Sequence, residues 1–256
     1  MKLARPNVFH PRIVLASCPR LIDGDGDDAG LVDALRRRGM HARWMSWDDP
    51  RTEKADLVIL RATWDYPERR EEFLAWTARV RNLLNAPSVV AWNSDEHYLH
   101  DLAAAGITTV QPSDPRVEDG GTALVFLGGE QSHAFAKGPI LLAQGAQPTL
   151  DESRTHARET LTPADPDFEV WEFGHAVLDA AASHLGIPRN EFLYARVDVI
   201  GGADDPVLLG LELIEPALGW RQLDDASREL GQRSFALQVE SACERLGLGP
   251  LSHRRP

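Results

Sequence analysis

Lysine is nearly missing from this chain. Lys2, Lys54 and Lys137 are the only ones in 256 residues, so arginine carries almost all of the positive charge. Cysteine is scarce as well: Cys18 and Cys243 have no metal-ligand spacing and cannot make a disulfide framework. Both are expected to be buried thiols. No apolar run approaches the roughly 20 residues that cross a membrane. The first residues lack the basic-then-apolar pattern of a secretory signal. A cytoplasmic protein without a membrane partner is therefore expected. No internal repeat is present. The formal net charge of −12 offers no basic stripe to offset phosphate repulsion, which argues against nucleic acid as the main partner.

What is there has a clear order. The length suits one large or two small domains, with ample chain to bury a core. In the first hundred residues, strands are predicted at 12–17, 41–46, 56–61 and 88–92. Helices are predicted up to Arg38-Gly39, over 68–84 and over 95–105, with Gly39 and Gly106 placed to end two of them. This βαβαβα alternation predicts an α/β fold built on a parallel, doubly wound sheet, whose ligand crevice lies beyond the carboxyl ends of the strands. The second half changes character. Residues 122–127 and 132–137 form a predicted hairpin around Gly128-Gly129, and a long polar stretch, 140–166, follows. A helix over 168–185, a second hairpin of strands 192–200 and 207–214, and a terminal helix over 224–246 complete the chain. An antiparallel sheet with flanking helices is expected here.

Three groups of polar residues interrupt this apolar pattern. Asp23 to Asp28 form an acidic, glycine-spaced loop that departs from a calcium loop at Asp28 and Ala34, and reads as a turn facing the next helix. Arg61-Ala62-Thr63-Trp64-Asp65-Tyr66-Pro67 follows the third strand. It either organises a helix start at Pro67 or presents Arg61, Thr63 and Asp65 to a small zwitterion. Most informative is Arg196-Val197-Asp198, followed by Leu211-Glu212-Leu213-Ile214-Glu215-Pro216. Alternation puts Arg196 and Asp198 on one face of a strand, and Glu212 joins them if the hairpin register allows. Charges on apolar strands are costly unless compensated. Two compensations are open: an ion pair that pins the hairpin, or carboxylates that hold Mg²⁺ while the arginine meets phosphate.

Together these residues resemble the ATP-grasp ligases, in the branch that includes the O-ureido-serine cyclo-ligase and related carboxylate–amine ligases. The resemblance is carried by Gly128 through Lys137, by Arg196-Val197-Asp198 and by Leu211 through Pro216. In the first half it is carried by Trp47-Asp48-Asp49-Pro50, Arg61 through Tyr66, Trp92-Asn93 and Tyr98 through Leu102. It implies a Rossmann-like domain over 1–106 and an ATP-grasp lobe over 107–256. It also implies an ATP- and Mg²⁺-dependent ligase that makes an acyl phosphate and lets an amine displace phosphate. Carried over by position, Asp198 and Glu212, with Glu215 as a third, hold the metal. Arg196 and Lys137 serve catalysis and meet the nucleotide, and Gln111, in the hinge Val110-Gln111-Pro112, lies at the adenine edge. Arg61, Thr63, Trp64, Asp65 and Tyr66 face an amino-acid-like substrate. Relatives are often dimers, so a homodimer fits the resemblance.

The departures are specific. No Lys-Pro pair exists anywhere in the chain, and Gly106 to Thr109 run straight into Val110, where the family inserts a small lobe. Glu96 or His97 stands where the family places a second lysine, and Gly120-Gly121 replaces a Gly-Glu pair. Each lost lysine removes a charge-assisted contact worth roughly 1.5–3 kcal/mol, or several decades of affinity together. Two functions remain open: a ligase with arginines such as Arg116 or Arg154 in the place of the lysines, or a non-catalytic ATP-grasp-like protein that binds a metabolite, metal or protein. A shortened reading of a longer chain gives the same pattern.

Overall fold

The structure, a computed structural model, describes residues 9–111, 114–138 and 161–250. In its first half, β1 (Arg12–Ser17), β2 (His41–Ser46), β3 (Leu57–Ala62) and the short β4 (Leu83–Leu84) form a parallel sheet in the order β2-β1-β3-β4. β3 is buried throughout because both faces are covered. On one face Ile13, Leu15, Leu57 and Ile59 pack with Leu31 and Leu35 of α1 (Leu31–Arg37). On the other, Val14, Val58 and Leu60 pack with Phe73 and Trp76 of α2 (Arg70–Thr77). The strand order reverses between β1 and β3, so the crevice expected to take ligands opens at Cys18 and Thr63.

Two predicted elements are corrected. The helix over 68–84 ends as α2 at Thr77, and Leu83–Leu84 pairs with β3 instead. Val80, Leu83 and Leu84 mimic helical spacing but are buried as a turn and a strand. The predicted strand 88–92 is a helix, α3 (Pro87–Asn93), with Pro87 in its first turn. A five-residue apolar run reads alike in a buried strand and a buried helix.

α4 (His97–Ala104) leads into the second half, where β5 (Gly121–Leu127), β6 (Glu130–Lys137), β7 (Leu161–Ala164), β8 (Tyr194–Ile200) and β9 (Val207–Glu212) form an antiparallel sheet ordered β7-β6-β5-β8-β9. Gly128 and Gly129 turn the β5–β6 hairpin at φ values of 62° and 79°, a region that favours glycine. The stretch 140–166 is described only from residue 161, where β7 begins. α5 (Phe168–Leu185) covers one face of this sheet through Val177, Leu178 and Ala181 against Leu124, Phe126 and Val197. α6 (Asp225–Arg245) covers the other through Phe235, Ala236 and Val239. That cluster also holds Leu15 of β1 and Leu35 of α1, so one core runs through both sheets. The fold is α/β, a parallel sheet followed by an antiparallel one, as the sequence predicts. Among the described residues no helix is long and apolar enough to cross a membrane.

Candidate functional site

The register of the antiparallel sheet decides what the polar residues can do. Arg196 lies opposite Glu212, Asp198 opposite Ala123, and Lys137 opposite Gly121. Directly opposed residues share a face, and so do residues two apart, so Lys137, Arg196, Asp198 and Glu212 all project from one side of the sheet. Arg196 Nε donates to Asp198 Oδ1 at 2.8 Å and Nη2 to Oδ2 at 3.0 Å, a two-pronged pair. Lys137 Nζ donates to the same Oδ2 at 3.1 Å. The Arg196 and Asp198 side chains are each only 8% exposed, whereas Glu212 is 47% exposed and stands 3.8 Å from Arg196. Burial alone would raise the Asp198 pKa; the two cations outweigh it and hold the carboxyl below its usual range.

The crevice at the ends of β1 and β3 is filled by the protein's own second half. Arg61, 2% exposed, makes a two-pronged pair with Asp28 at 2.8 and 2.9 Å and donates to the carbonyl of Pro216 at 2.8 Å. Thr63 Oγ1 donates to Glu215 Oε2 at 2.9 Å. Asp65 accepts from Trp47 Nε1 at 2.8 Å and from Arg69 at 3.2 Å. Arg61, Thr63 and Asp65, expected to face a substrate, are thus engaged with protein groups. Trp64 and Tyr66 stay partly exposed. Burial first, then the nearby charges of Glu215 and Glu212, push the Tyr66 hydroxyl far up. The acidic loop is corrected too. Asp27 accepts from the backbone N–H groups of Gly219 and Arg221, and Asp28 pairs with Arg61, while α1 has no side-chain cap. Asp27 thus faces the second half and Asp28 faces Arg61 of β3, and neither caps α1.

The segment after Glu215 is gripped from three strands. Its carbonyls at Pro216, Ala217 and Leu218 accept from Arg61 of β3, Arg196 of β8 and His133 of β6. A carbonyl can only accept, so His133 Nε2 carries the proton at 2.6 Å. Burial lowers the pKa of this ring, leaving it a neutral structural donor. Glu215 is pushed up to about 8 by burial, which its bonds to Thr63 only partly offset.

Sequence reasoning missed three further residues that hold the halves together. Asn85 accepts from Leu193 N–H and donates to the carbonyls of Tyr194 and Leu213. Asn93 accepts from Leu213 N–H and donates to Leu211 O, completing the open edge of β9 as a neighbouring strand would. Tyr194 donates its hydroxyl toward the carbonyls of Leu60 and Ile214. The available signal was the amide of Asn85 directly after two leucines, since a polar group in an apolar run needs buried partners.

Gln111 is exposed, beyond a short parallel bridge between Thr109 and Leu208 on the outer edge of β9. Pro112 lies outside the described residues, as does Arg154. A cavity of about 450 Å³ opens at the same end of the sheet, lined by Lys137, Arg116, Thr122 and Gly120-Gly121. A Cβ at Gly120 would sit 2.1 Å from the Lys137 carbonyl oxygen, so only glycine lets the chain pass there. Arg116 is tied to Asp114 at 2.6 Å and to Asp205 at 2.7 Å. Among the described residues no group of three or more His, Cys, Asp or Glu side chains is arranged to hold a metal ion. Asp198 and Glu212, on one face, fit Mg²⁺ in the way it is usually held, by one or two carboxylates with phosphate oxygens completing the shell. Glu215 is turned to Thr63 instead.

A parallel α/β unit joined to an antiparallel sheet bearing this cluster defines an ATP-grasp-like fold. Residues 13–85 match the family of the N-terminal domain of D-cycloserine synthetase DcsG. The cycloserine biosynthesis protein DcsG of Streptomyces lavendulae is 27% identical, over 81% of this chain and 92% of its own length. The crystal structure of D-cycloserine synthetase DcsG superposes with a TM-score of 0.71 at 24% identity, covering 91% of this chain and 99% of that one. The ATP-grasp ligase PsnB, in complex with a minimal precursor variant, Mg and ADP, superposes at 0.53 and 13% identity, covering 90% of this chain and 99% of its own. The chain is a DcsG-like protein, a relative of the ATP-grasp ligases. The sequence alignment with the Streptomyces relative runs over 285 positions, more than the 256 residues available here, so that relative holds segments this chain lacks.

Proposed function

We propose that this chain is an ATP- and Mg²⁺-dependent carboxylate–amine ligase acting on a small amino-acid-like substrate through an acyl phosphate. The observation that carries this reading is the cluster of Lys137, Arg196, Asp198 and Glu212 on one face of the antiparallel sheet. Asp198 and Glu212 would hold Mg²⁺, which when bound neutralises phosphate charge. Arg196, fixed by Asp198 and by the Ala217 carbonyl, is positioned to orient the terminal phosphate and to stabilise charge during transfer. A carboxylate oxygen of the substrate bonds to that phosphorus as ADP departs; the amine then bonds to the acyl carbon and inorganic phosphate leaves. Lys137 binds phosphate beside Arg196, and Gln111 meets the adenine edge. Residues 1–106 serve the substrate side and 107–256 the nucleotide side. The role of the Streptomyces relative in cycloserine biosynthesis supports an amino-acid-like substrate. Trp64 and Tyr66 are its contacts, with Arg61, Thr63 and Asp65 holding the walls behind them.

A second reading, a non-catalytic ATP-grasp-like protein that binds a metabolite, metal or protein partner, is favoured by the missing Lys-Pro pair and by the segments present only in the relative. Calorimetric titration with a non-hydrolysable ATP analogue, with and without Mg²⁺, separates the two. Micromolar, Mg²⁺-dependent binding supports the ligase. No binding at millimolar analogue retires it.

A further inference from the structure

Glu215 is a partly buried carboxyl without a cation in contact. Its neighbours are better served: Asp28 has Arg61 at 2.8 Å, Asp65 has Arg69 at 3.2 Å, and Asp198 has Arg196 at 2.8 Å. Glu215 has Thr63, whose hydroxyl donates to Oε2 at 2.9 Å, and among the described residues Oε1 has no side-chain partner. Arg61 acts on it only from a distance. Its Nε and Nη2 serve Asp28 and the Pro216 carbonyl, and its Nη1 bonds nothing among the described residues. A carboxyl kept from water takes up a cation when one is offered. The second half fills the crevice between β1 and β3 but leaves Glu215, Trp64 and Tyr66 partly exposed, so a small cation can reach it.

We propose that Glu215 anchors the primary ammonium of an amino-acid substrate, with the hydroxyls of Tyr66 and Tyr98 as the neighbouring oxygens that complete its hydrogen bonds. This deepens the ligase reading and rests on it for the place of the amine in the reaction. An ammonium has three donors and no acceptor. The Tyr66 hydroxyl makes no hydrogen bond among the described residues, and the Tyr98 oxygen accepts one N–H, from Leu211 at 3.1 Å, which leaves a second lone pair. The charges of Glu215 and Glu212 and the phenol of Tyr98 all act on Tyr66, while those of Glu212 and Asp198 act on Tyr98. The two phenols therefore bridge from the anchor to the carboxylates read as the metal ligands. Glu215 follows Glu212 by three residues, at most about 10 Å of extended chain. The amine and the activated carboxylate of small substrates can thus be held side by side. The residue types select among cations. A guanidinium fork needs both carboxylate oxygens, and Thr63 already engages one, so a point charge is favoured. A metal ion is disfavoured, since no group of three or more His, Cys, Asp or Glu among the described residues is arranged to hold one.

The full chain tests this with the common amino acids, in both hands, as probes. Each is screened at millimolar concentration by thermal shift, with and without a non-hydrolysable ATP analogue and Mg²⁺. Those that bind are titrated by calorimetry, each beside its N-acetyl derivative, against wild type, Glu215→Gln and Tyr66→Phe. Wild type should bind the free amino acid at least tenfold more tightly than its N-acetyl derivative. In Glu215→Gln the free amino acid should fall to the affinity of the derivative, because one charge-assisted contact is worth roughly one to two decades. Tyr66→Phe should weaken the free amino acid alone, by a few-fold, and carries the prediction if Glu215→Gln fails to fold. Unchanged affinity in these variants overturns the anchor. So does a loss shared equally by the free and N-acetylated forms, which marks Glu215 as a support of the fold. Analogue binding with no amino acid bound overturns the anchor and leaves the ligase reading standing. Amino-acid binding that depends on Glu215, with no analogue bound, keeps the anchor and retires the ligase reading. Binding of neither overturns both.

Discussion

Neutralising Asp198 and neutralising Glu212 should have very different consequences for stability, although both remove one carboxylate from the same face. Asp198 is buried and answers two cations, Arg196 at 2.8 Å and Lys137 at 3.1 Å. Asp198→Asn keeps one acceptor but leaves two charges without their counter-ion, and breaking a buried pair in this way costs roughly 3 kcal/mol, at the low end of the range for such pairs. For a chain of this size that is a fall in Tm of roughly 6–12 °C. Glu212 is half-exposed and, among the described residues, its ion-pair partner is Arg196, at 3.8 Å. Glu212→Gln should therefore cost below about 1 kcal/mol, or roughly 2 °C. Thermal unfolding of both variants in EDTA, followed by circular dichroism, measures the difference. A shift for the two variants that agrees within about 2 °C would refute the assignment of Asp198 as the buried hub of the cluster. The same asymmetry governs how activity data are read. Loss of turnover in Asp198→Asn mixes a chemical with a structural effect, whereas loss in Glu212→Gln, with its fold intact, is the cleaner test of the metal role proposed for Glu212.

Two other substitutions probe the frame around the site. Asn85→Leu deletes three buried hydrogen bonds between the halves and strands Leu193 N–H, so it should cost about 3–5 kcal/mol in urea unfolding; a loss under about 1 kcal/mol would mean that these groups find other partners. Asp25 is pushed up to about 7, by burial first and then by Asp28, so the folded protein holds a proton that the unfolded chain releases from about pH 4. Stability should accordingly fall as pH rises from about 4 to 7 and stay low above that. Asp25→Asn should remove this slope and raise stability at pH 8 by at most about 4 kcal/mol, less because part of the group remains in water. An unchanged slope in pH-dependent urea unfolding would exclude Asp25 as its source.

Much of the fold could be read from local pattern. Short apolar runs bounded by glycine, proline and aspartate place β1, β2, β3 and the two hairpins, and the alternation of Arg196, Val197 and Asp198 puts two charges on one face. Local pattern failed where two geometries share it: residues 88–92 fill a buried helix as readily as a strand, and 80–84 carry helical spacing into a turn and a strand. The residue types of the site, and their kinship with a ligase family, were likewise sequence properties.

Which residues meet was decided by tertiary structure, because strand register and the approach of distant segments are set by the whole core rather than by neighbours in sequence. Only the register sets Arg196 opposite Glu212, and only the order β6-β5-β8 brings Lys137 across a strand to Asp198, 61 residues away. Arg61 and Thr63 carried a substrate-like signature, yet burial gave them Asp28, Pro216 and Glu215 as partners, since a charge removed from water takes the strongest partner within reach. The sequence by itself determined which chemistry is available; packing determined which of those groups face one another and which are spent holding the two sheets together.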